Sequence, residues 1–203
     1  MNWFKAITKK VSNCTDSRDE TPESNPAETP QEYFKRNIKE IAPTHWRINW
    51  HGTLIEFPPV SWQRARSFGE TFYTMIGRVK PSVFEFLGKL CHNPCVEYLE
   101  VSSLWRPPIG GSSPHNFGNG IDFGTIRVRK GNNIFLYRPT LGDPAPRGIT
   151  KFRRLCWDTG MVWQYIGPWN LRGNNISRSW IANTGANNLQ RTHMDHIHLT
   201  IAV

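Results

Sequence analysis

The chain has 203 residues, of which 38% are hydrophobic and 20% are charged, a composition typical of a folded globular protein rather than a disordered one. No apolar run approaches the roughly 20 residues that a membrane-spanning helix needs, so the sequence predicts no transmembrane helix. Lys and Arg outnumber Asp and Glu by 25 to 16, and the net charge of +9 favours an anionic partner. The basic residues are scattered and form no nucleic-acid-binding module, which makes nucleic acid the less suitable partner.

Residues 1–28 are predicted to form an amphipathic segment followed by a linker. Four apolar residues fall near one helical face, namely Trp3, Phe4, Ile7 and Val11. This pattern suits a short anchor for a partner or a membrane surface, and a frayed turn of helix accounts for it equally well. Residues 13–30 are rich in polar residues and proline, as linkers are. The N-terminus lacks the apolar stretch of a secretory signal.

The folded domain is predicted to span residues 29–203. Thr29-Pro30-Gln31-Glu32 matches a capping box with proline at the first helical position, and predicts a helix that runs to about Ile41. Apolar runs on both sides of His51-Gly52 predict a hairpin over residues 45–57. Further along, the patterns predict a helix over 61–76, a helix over 81–90 and a strand over 96–104.

The second half of the chain is predicted to be rich in strands. Residues 126–137 resemble a hairpin with its turn at Gly131-Asn132-Asn133. The last predicted elements are a helix capped by Thr150 and ended by Gly160, and strands over 161–166 and 196–203. Because helices come mostly first and strands later, we predict an α+β domain with helices packed on one face of a small, largely antiparallel sheet.

The four cysteines do not form the paired sets of a zinc ribbon; they are Cys14, Cys91, Cys95 and Cys156. A local disulfide between Cys91 and Cys95, or a second metal site there, is one interpretation of their spacing. We favour free thiols in or near the core of a protein made in a reducing cytosol.

Two segments carry residues typical of a metal site. Alternation in the last strand places aliphatic residues on one face, and His196, His198 and Thr200 on the other. His115 lies in a glycine-punctuated loop, and Asp122 follows seven residues later where a strand begins. One Asp with two His nitrogens is a sound ligand set for zinc, since it leaves the fourth position to water.

The order of these motifs resembles a known family. A histidine, glycine and aspartate at residues 115, 118 and 122, followed far downstream by His-x-His at 196–198, is similar to the LAS metallopeptidases. This family includes lysostaphin-type enzymes, D-alanyl-D-alanine peptidases and sonic hedgehog. Three further matches resemble its D-alanyl-D-alanine carboxypeptidase/dipeptidase branch, which also contains phage L-alanyl-D-glutamate endopeptidases. They are Ser113 two residues before the histidine, Trp105-Arg106-Pro107, and Asp195-x-x-His198. The resemblance covers residues 96–203 and implies a fold like that of hedgehog and the D-Ala-D-Ala peptidases.

The resemblance implies a zinc cofactor held by His115, Asp122 and His198. For the general base, the carboxypeptidase pattern selects Asp195, which would take a proton from zinc-bound water and pass it to the leaving amine. Ideal strand geometry selects His196 instead, because residues three apart on a strand point to opposite faces. Another branch of the family also uses the first histidine of its His-x-His. We favour Asp195 and keep His196 as the alternative.

The family also suggests which residues contact the substrate. Arg106 would steady the substrate carbonyl and the oxyanion that forms on attack. Ser113 would order its loop or contact the substrate backbone. Trp163 lies in a loose relative of the family's Trp-Gly-Gly stretch and is assigned to substrate binding. The long insert that follows contains Trp169 and Trp180, which are candidates to line the groove.

The function implied by the resemblance is zinc-dependent cleavage of stem or cross-link peptides in peptidoglycan. Without a secretory signal, we expect synthesis in the cytoplasm and action on the wall after lysis or as a virion component, as in a phage endolysin or virion-associated hydrolase. The N-terminal segment would then bind virion or tail proteins. The alternative is a non-catalytic binding or structural protein of a particle that keeps the zinc fold. Nucleic-acid binding through the positive charge is a third, weaker hypothesis.

Overall fold

The computed structural model describes residues 28–108, 113–130, 133–137, 149–167, 193 and 195–203. The predicted N-terminal segment and most of the linker lie outside these residues, as do Trp169 and Trp180. The described chain forms a mixed α/β fold built on one sheet. No helix in these ranges is both long enough and apolar enough to cross a membrane.

The sheet has eight strands and is mostly antiparallel. The strands are β1 (Lys39–Ala42), β2 (His45–Trp50), β3 (Thr53–Phe57), β4 (Val96–Ser103), β5 (Gly120–Lys130), β6 (Asn133–Tyr137), β7 (Val162–Ile166) and β8 (Ile197–Ile201). Their order is β1-β2-β3-β4-β5-β8-β7, and β3 with β4 is the one parallel pair in the described sheet. The long strand β5 pairs with β4 along one edge, and with β8 and then β6 along the other.

Helices pack against this sheet. They are α1 (Pro30–Asn37), α2 (Gln63–Arg66), α3 (Phe72–Arg78), α4 (Pro81–Cys91) and α5 (Ile149–Asp158), and a 3-10 turn over Pro59–Trp62 leads into α2. Helix α1 packs on α4, with the rings of Phe34 and Phe84 centred 5.0 Å apart, and both helices contact the sheet. The predicted mixed fold with a largely antiparallel sheet is therefore confirmed, and the sheet is larger than expected.

Local sequence signals account for the start of α1 and for the first hairpin. The Glu32 amide donates to Thr29 Oγ1 at 3.3 Å, and the Thr29 amide donates to Glu32 Oε2 at 2.9 Å, which completes the predicted capping box. The predicted hairpin is formed by β2 and β3. Its turn residues His51 and Gly52 have φ of 49° and 75°, the left-handed conformation that a two-residue type I′ turn requires.

Two helix predictions in the first half are wrong. Helix α1 ends at Asn37 rather than near Ile41, because Ile38 adopts an extended conformation and Lys39–Ala42 pairs with β2. The helix predicted over 61–76 is instead the 3-10 turn, α2 and α3. The helical conformation is interrupted at Gly69, which has φ of 80°, and Thr71 is the N-cap of the next helix, α3.

Most of the elements predicted in the second half are confirmed. The hairpin predicted over 126–137 is formed by β5 and β6, although β5 begins earlier, at Gly120. Helix α5 begins at Ile149, so Thr150 lies inside the helix and is not its cap. Gly160 follows the helix with φ of 72°, a conformation that ends helices and suits glycine.

The cysteine prediction is only partly confirmed. Cys91 and Cys156 are buried and form no disulfide, which rules out a disulfide between Cys91 and Cys95. Cys95 is disulfide-bonded, so the prediction of a free thiol is wrong for this residue. The Cys95 sulfur also accepts a hydrogen bond from Lys151 Nζ at 3.1 Å. Pairing fails to follow from the sequence because spacing does not determine which cysteines meet.

Candidate metal centre

Strand β5 places Asp122 between two neighbours. Its pairing partners are Ser103 on β4 and His198 on β8. Side chains of directly opposed residues in a sheet lie about 5 Å apart at Cβ, so Asp122 and His198 are held side by side. Asp122 Oδ1 is accordingly 2.7 Å from His198 Nδ1.

His115 reaches the same point from a tight turn that precedes β5. The Asn116 amide donates to the Ser113 carbonyl at 2.9 Å, and the Gly118 amide donates to the His115 carbonyl at 3.1 Å. Gly118 has φ of 77°, and a Cβ there would lie 2.3 Å from the Arg78 carbonyl oxygen. The turn therefore requires glycine both for its backbone conformation and for its close approach to Arg78.

Three ligand atoms meet at this point. His115 Nε2, Asp122 Oδ1 and His198 Nδ1 lie 2.7 to 3.1 Å from one another, and all three residues are buried. Among the residues that the structure describes, they form the one group of three or more side chains able to hold a metal ion. Atoms at these separations can all lie about 2 Å from a common ion, the length of zinc bonds to nitrogen and oxygen.

Hydrogen bonds on the side of each imidazole away from Asp122 determine which ring nitrogen carries the hydrogen. His115 Nδ1 lies against the carbonyl oxygen of Leu104, which can only accept, so Nδ1 carries the hydrogen. Thr200 Oγ1 donates to Gln164 Oε1 at 3.0 Å and therefore accepts from His198 Nε2 at 3.2 Å. Both inner nitrogens then direct lone pairs at each other and at the Asp122 carboxylate. Partners of this kind are typical of metal-binding histidines.

The candidate centre places a buried carboxylate between two imidazoles. Burial acts to raise the pKa of Asp122, but positive charge and hydrogen bonds at His115 and His198 outweigh it and the pKa is well below its usual value. Burial is also the largest influence on His198, and it lowers the pKa of that imidazole, which opposes a positive charge there. A bound metal ion would take the place of positive charge on the imidazoles and would leave both inner nitrogens unprotonated, as the outer hydrogen bonds favour.

The absence of a side chain at Gly120 is expected to be necessary for the position of the His115 imidazole. A Cβ at residue 120 would lie 2.8 Å from the His115 amide nitrogen and 3.0 Å from its ring Nδ1. We expect Gly120→Ala to displace the imidazole and weaken zinc binding by about 10-fold to 100-fold, as loss of an orienting contact does. Competition with a chromophoric chelator measures the affinity.

Gly77→Ala is the matched control, because a Cβ at Gly77 meets nothing within 4 Å and the residue lies within α3. This control is expected to bind zinc like the unaltered protein. An affinity of Gly120→Ala within about twofold of the control would show that the loop tolerates the extra methyl group.

Three other predicted site residues lie beside the ligand atoms. Arg106 Nη2 is 3.5 Å from Asp122 Oδ2, and Arg106 Nε is buried with no hydrogen-bond partner. His196 Nε2 is 3.7 Å from the same Asp122 oxygen, while His196 Nδ1 is 2.7 Å from Asp195 Oδ1. The Asp195 side chain is 84% exposed and that of His196 only 18%. His196 therefore faces the centre, and Asp195 supports it from the solvent side.

The other two predicted substrate contacts lie apart from the centre. The backbone carbonyl of Ser113 accepts the Asn116 amide at the start of the His115 turn, a contact that does not involve the serine side chain. Trp163 is 63% exposed on β7, at an irregularity between Val162 and Gln164 in the pairing with β8. Neither Ser113 nor Trp163 lines the cleft beside the centre.

One residue near the centre was not anticipated from the sequence. The ring of His193 is centred 5.0 Å from that of His196 and 5.3 Å from that of His198. It precedes β8, so strand alternation does not apply to it. In the sequence, only its position shortly before the His-x-His motif suggested that His193 could lie near the site. The structure adds its imidazole to the edge of the site.

A cleft of about 740 Å³ lies next to the centre and includes Asp122, Arg106, Asp195 and His196 in its lining. The 3-10 turn and α2 form one wall of the cleft, and β4 contributes Glu100, Ser102 and Ser103 to another part of the lining. The cleft is thus lined both by the predicted motif region and by residues from the first half of the chain, where the sequence had indicated no site.

Comparison with known proteins assigns the chain to no family. No family model, no curated protein and no solved structure matches it. The case for a metal centre therefore rests on the chain's own geometry, namely three convergent ligand atoms and the hydrogen bonds behind the two imidazoles.

Proposed function

We propose that the protein is a zinc-dependent peptidase that cleaves stem or cross-link peptides of peptidoglycan. The observation that carries this proposal is the triangle of buried ligand atoms beside a cleft that also contains His196 and Arg106. The cleft volume of about 740 Å³ is in the range of sites that enclose small ligands or short peptide segments. The resemblance of the motifs to D-Ala-D-Ala carboxypeptidases and L-Ala-D-Glu endopeptidases supports a wall peptide as the substrate.

His196 and Asp195 have different roles in the proposed reaction. When bound, zinc lowers the pKa of a water molecule to about 7 and polarises a carbonyl group. His196 accepts the proton of the attacking water at Nε2, the ring nitrogen that lies nearer the centre. Asp195 holds the hydrogen on His196 Nδ1 and orients the ring. His196 then returns its proton to the leaving amine.

Arg106 is suited to stabilise the oxyanion. Its Nη2 lies 3.5 Å from Asp122, and the side chain is 32% exposed and lines the cleft, so the guanidinium can reach a ligand there. Burial lowers the pKa of Arg106 from an ordinary value far above neutrality, and the side chain remains a cation at neutral pH. A fixed positive donor next to the centre stabilises negative charge that develops on the substrate carbonyl oxygen.

The proposal extends to the fold and to delivery. A fold of the hedgehog and D-Ala-D-Ala peptidase type is supported by the motif order and by the mostly antiparallel sheet. Access to the wall after lysis, or as part of a virion through residues 1–28, is supported by the composition of that segment. The observation that would favour particle delivery is the intact chain in purified virions.

Digestion of purified peptidoglycan tests the function. The zinc-loaded protein is expected to release fragments, a chelator to abolish release, and added zinc to restore it, because the attacking water needs the metal. Mass spectrometry of fragments with free D-alanine or a new L-alanine terminus would identify the bond. Binding to the wall without fragments would favour the non-catalytic alternative, and release that a chelator does not affect would contradict the metal-dependent mechanism.

A further inference from the structure

The cleft contains one glutamate, Glu100, whose carboxylate has no ion-pair or hydrogen-bond partner among the described residues. Glu100 on β4 lines the cleft, and it forms neither an ion pair nor a hydrogen bond within the described part of the chain. Nearby acidic residues differ in this respect. Glu56 accepts a hydrogen bond from Tyr98 at 3.0 Å, and Glu97 accepts one from Arg129 at 2.6 Å. Glu100 is therefore the member of this group that is available to a ligand.

The Glu100 carboxylate is positioned over a glycine. A Cβ at Gly124 of β5 would lie 2.6 Å from Glu100 Oε1, so a side chain at residue 124 would occupy the space that the carboxylate now fills. Gly124 also lines the cleft. The two strands thus hold the negative charge against the cleft lining, where the side chain is only partly exposed.

The position of Gly124 sets the distance from the candidate metal centre. Glu100 Oε1 lies against Gly124, which follows Asp122 by two residues on β5. Two residues of a strand cover about 7 Å. A ligand group at Glu100 therefore lies about two extended residues from the reacting bond, or fewer if a long side chain carries it.

Positively charged residues line another part of the same cleft. Arg64 on α2 lines the cleft and forms no ion pair with any residue that the structure describes. Burial is the main cause of the lowered pKa of Arg106, and the positive charge of Arg64 adds to it, so the two guanidinium groups lie near each other. The cleft consequently has a cationic region at Arg64 and Arg106 and a separate anionic site at Glu100.

We propose that Glu100 binds an ammonium group of the peptide substrate about 7 Å from the candidate metal centre. This inference rests on the proposed peptidase function and adds a charge requirement to it. The shared chemistry is a primary ammonium, which either the free amino terminus of the peptide or the side chain of a diamino acid such as lysine provides. The arms of the experiment separate these two sources.

Equilibrium binding to the zinc-loaded His196→Ala protein tests the inference without turnover. The probes are the tripeptide L-alanyl-γ-D-glutamyl-L-lysine and its Nα-acetyl and Nε-acetyl forms, with calorimetry as the measurement. We expect acetylation of the relevant amine to weaken binding about tenfold, the size of one charge-assisted hydrogen bond. Glu100→Gln is expected to remove this preference, whereas Glu97→Gln, which alters an ion-paired residue of the same strand, is expected to retain it.

The outcomes separate the inference from the function on which it rests. Equal binding of all probes, absence of binding, or a preference that persists in Glu100→Gln would overturn the ammonium site. Cleavage of the same tripeptide by the unaltered protein is measured independently by mass spectrometry. An amine preference that Glu100→Gln removes, without cleavage, would support the ammonium site and count against the peptidase proposal.

Discussion

Replacement of Asp122 by asparagine is expected to weaken zinc binding by more than about 100-fold and to abolish hydrolysis. The substitution retains shape but removes the negative charge and replaces the carboxylate ligand by a neutral amide, which is a much weaker ligand. Loss of supporting residues alone costs metal sites about 10-fold to 100-fold. Asp122 Oδ1 contacts both His115 Nε2 and His198 Nδ1, so no other described carboxylate can replace it. Equilibrium dialysis with metal analysis measures the affinity.

Asp158→Asn provides the control for the loss of one negative charge, because Asp158 is exposed at the end of α5. This variant is expected to bind zinc and to hydrolyse peptidoglycan normally. Zinc affinity of Asp122→Asn equal to that of the control would exclude Asp122 as a ligand.

Replacement of His196 by alanine is expected to retain zinc but to lower kcat/KM by about 100-fold to 10,000-fold, the usual contribution of a general acid–base residue. The three candidate ligand atoms belong to other residues, so a metal ion held by them would keep all three. Initial rates on defined wall peptides, together with metal content, measure both effects.

Asp195→Asn distinguishes the two candidate bases. If His196 transfers the proton, loss of the Asp195 carboxylate disturbs only the orientation of its ring, and activity is expected to fall less than in His196→Ala. A larger loss in Asp195→Asn than in His196→Ala would instead assign the proton transfer to Asp195. Wild-type rates in both variants would show that neither residue acts in hydrolysis.

The convergence of the metal-binding residues could be anticipated because two kinds of local information agree. Strand alternation identified the face of β8 that carries His198, and the glycines after His115 indicated a turn over the start of β5. The sequence could not specify that Asp122 and His198 would be direct cross-strand partners. Nor could it reveal that Leu104 and Thr200 complete the outer hydrogen bonds, because such contacts depend on strand register.

The general base could not be decided from the sequence because the chain before β8 is irregular. Asp195 and His196 precede the first residue of the strand, so ideal alternation does not apply to them. Their actual positions depend on a side-chain hydrogen bond between adjacent residues. Alternation extended beyond the strand did place His196 toward the ligand atoms, but it could not show that Asp195 would contact the His196 ring.

The first half of the fold was harder to predict for a different reason. Strand β1 has four exposed residues and hence no hydrophobic alternation, so its sequence also fits the end of a helix. The break at Gly69 separates α2 from α3 and shapes one wall of the cleft. Glu100 is an ordinary polar strand residue in the sequence, and only the tertiary structure shows that it lines the same cleft as Asp122.

The most direct test of the metal centre is a crystal structure of the zinc-loaded protein with anomalous scattering recorded on both sides of the zinc absorption edge. The account predicts one zinc peak about 2 Å from His115 Nε2, an Asp122 carboxylate oxygen and His198 Nδ1. A structure in which these three atoms share no ion, or in which zinc binds only elsewhere, would contradict it.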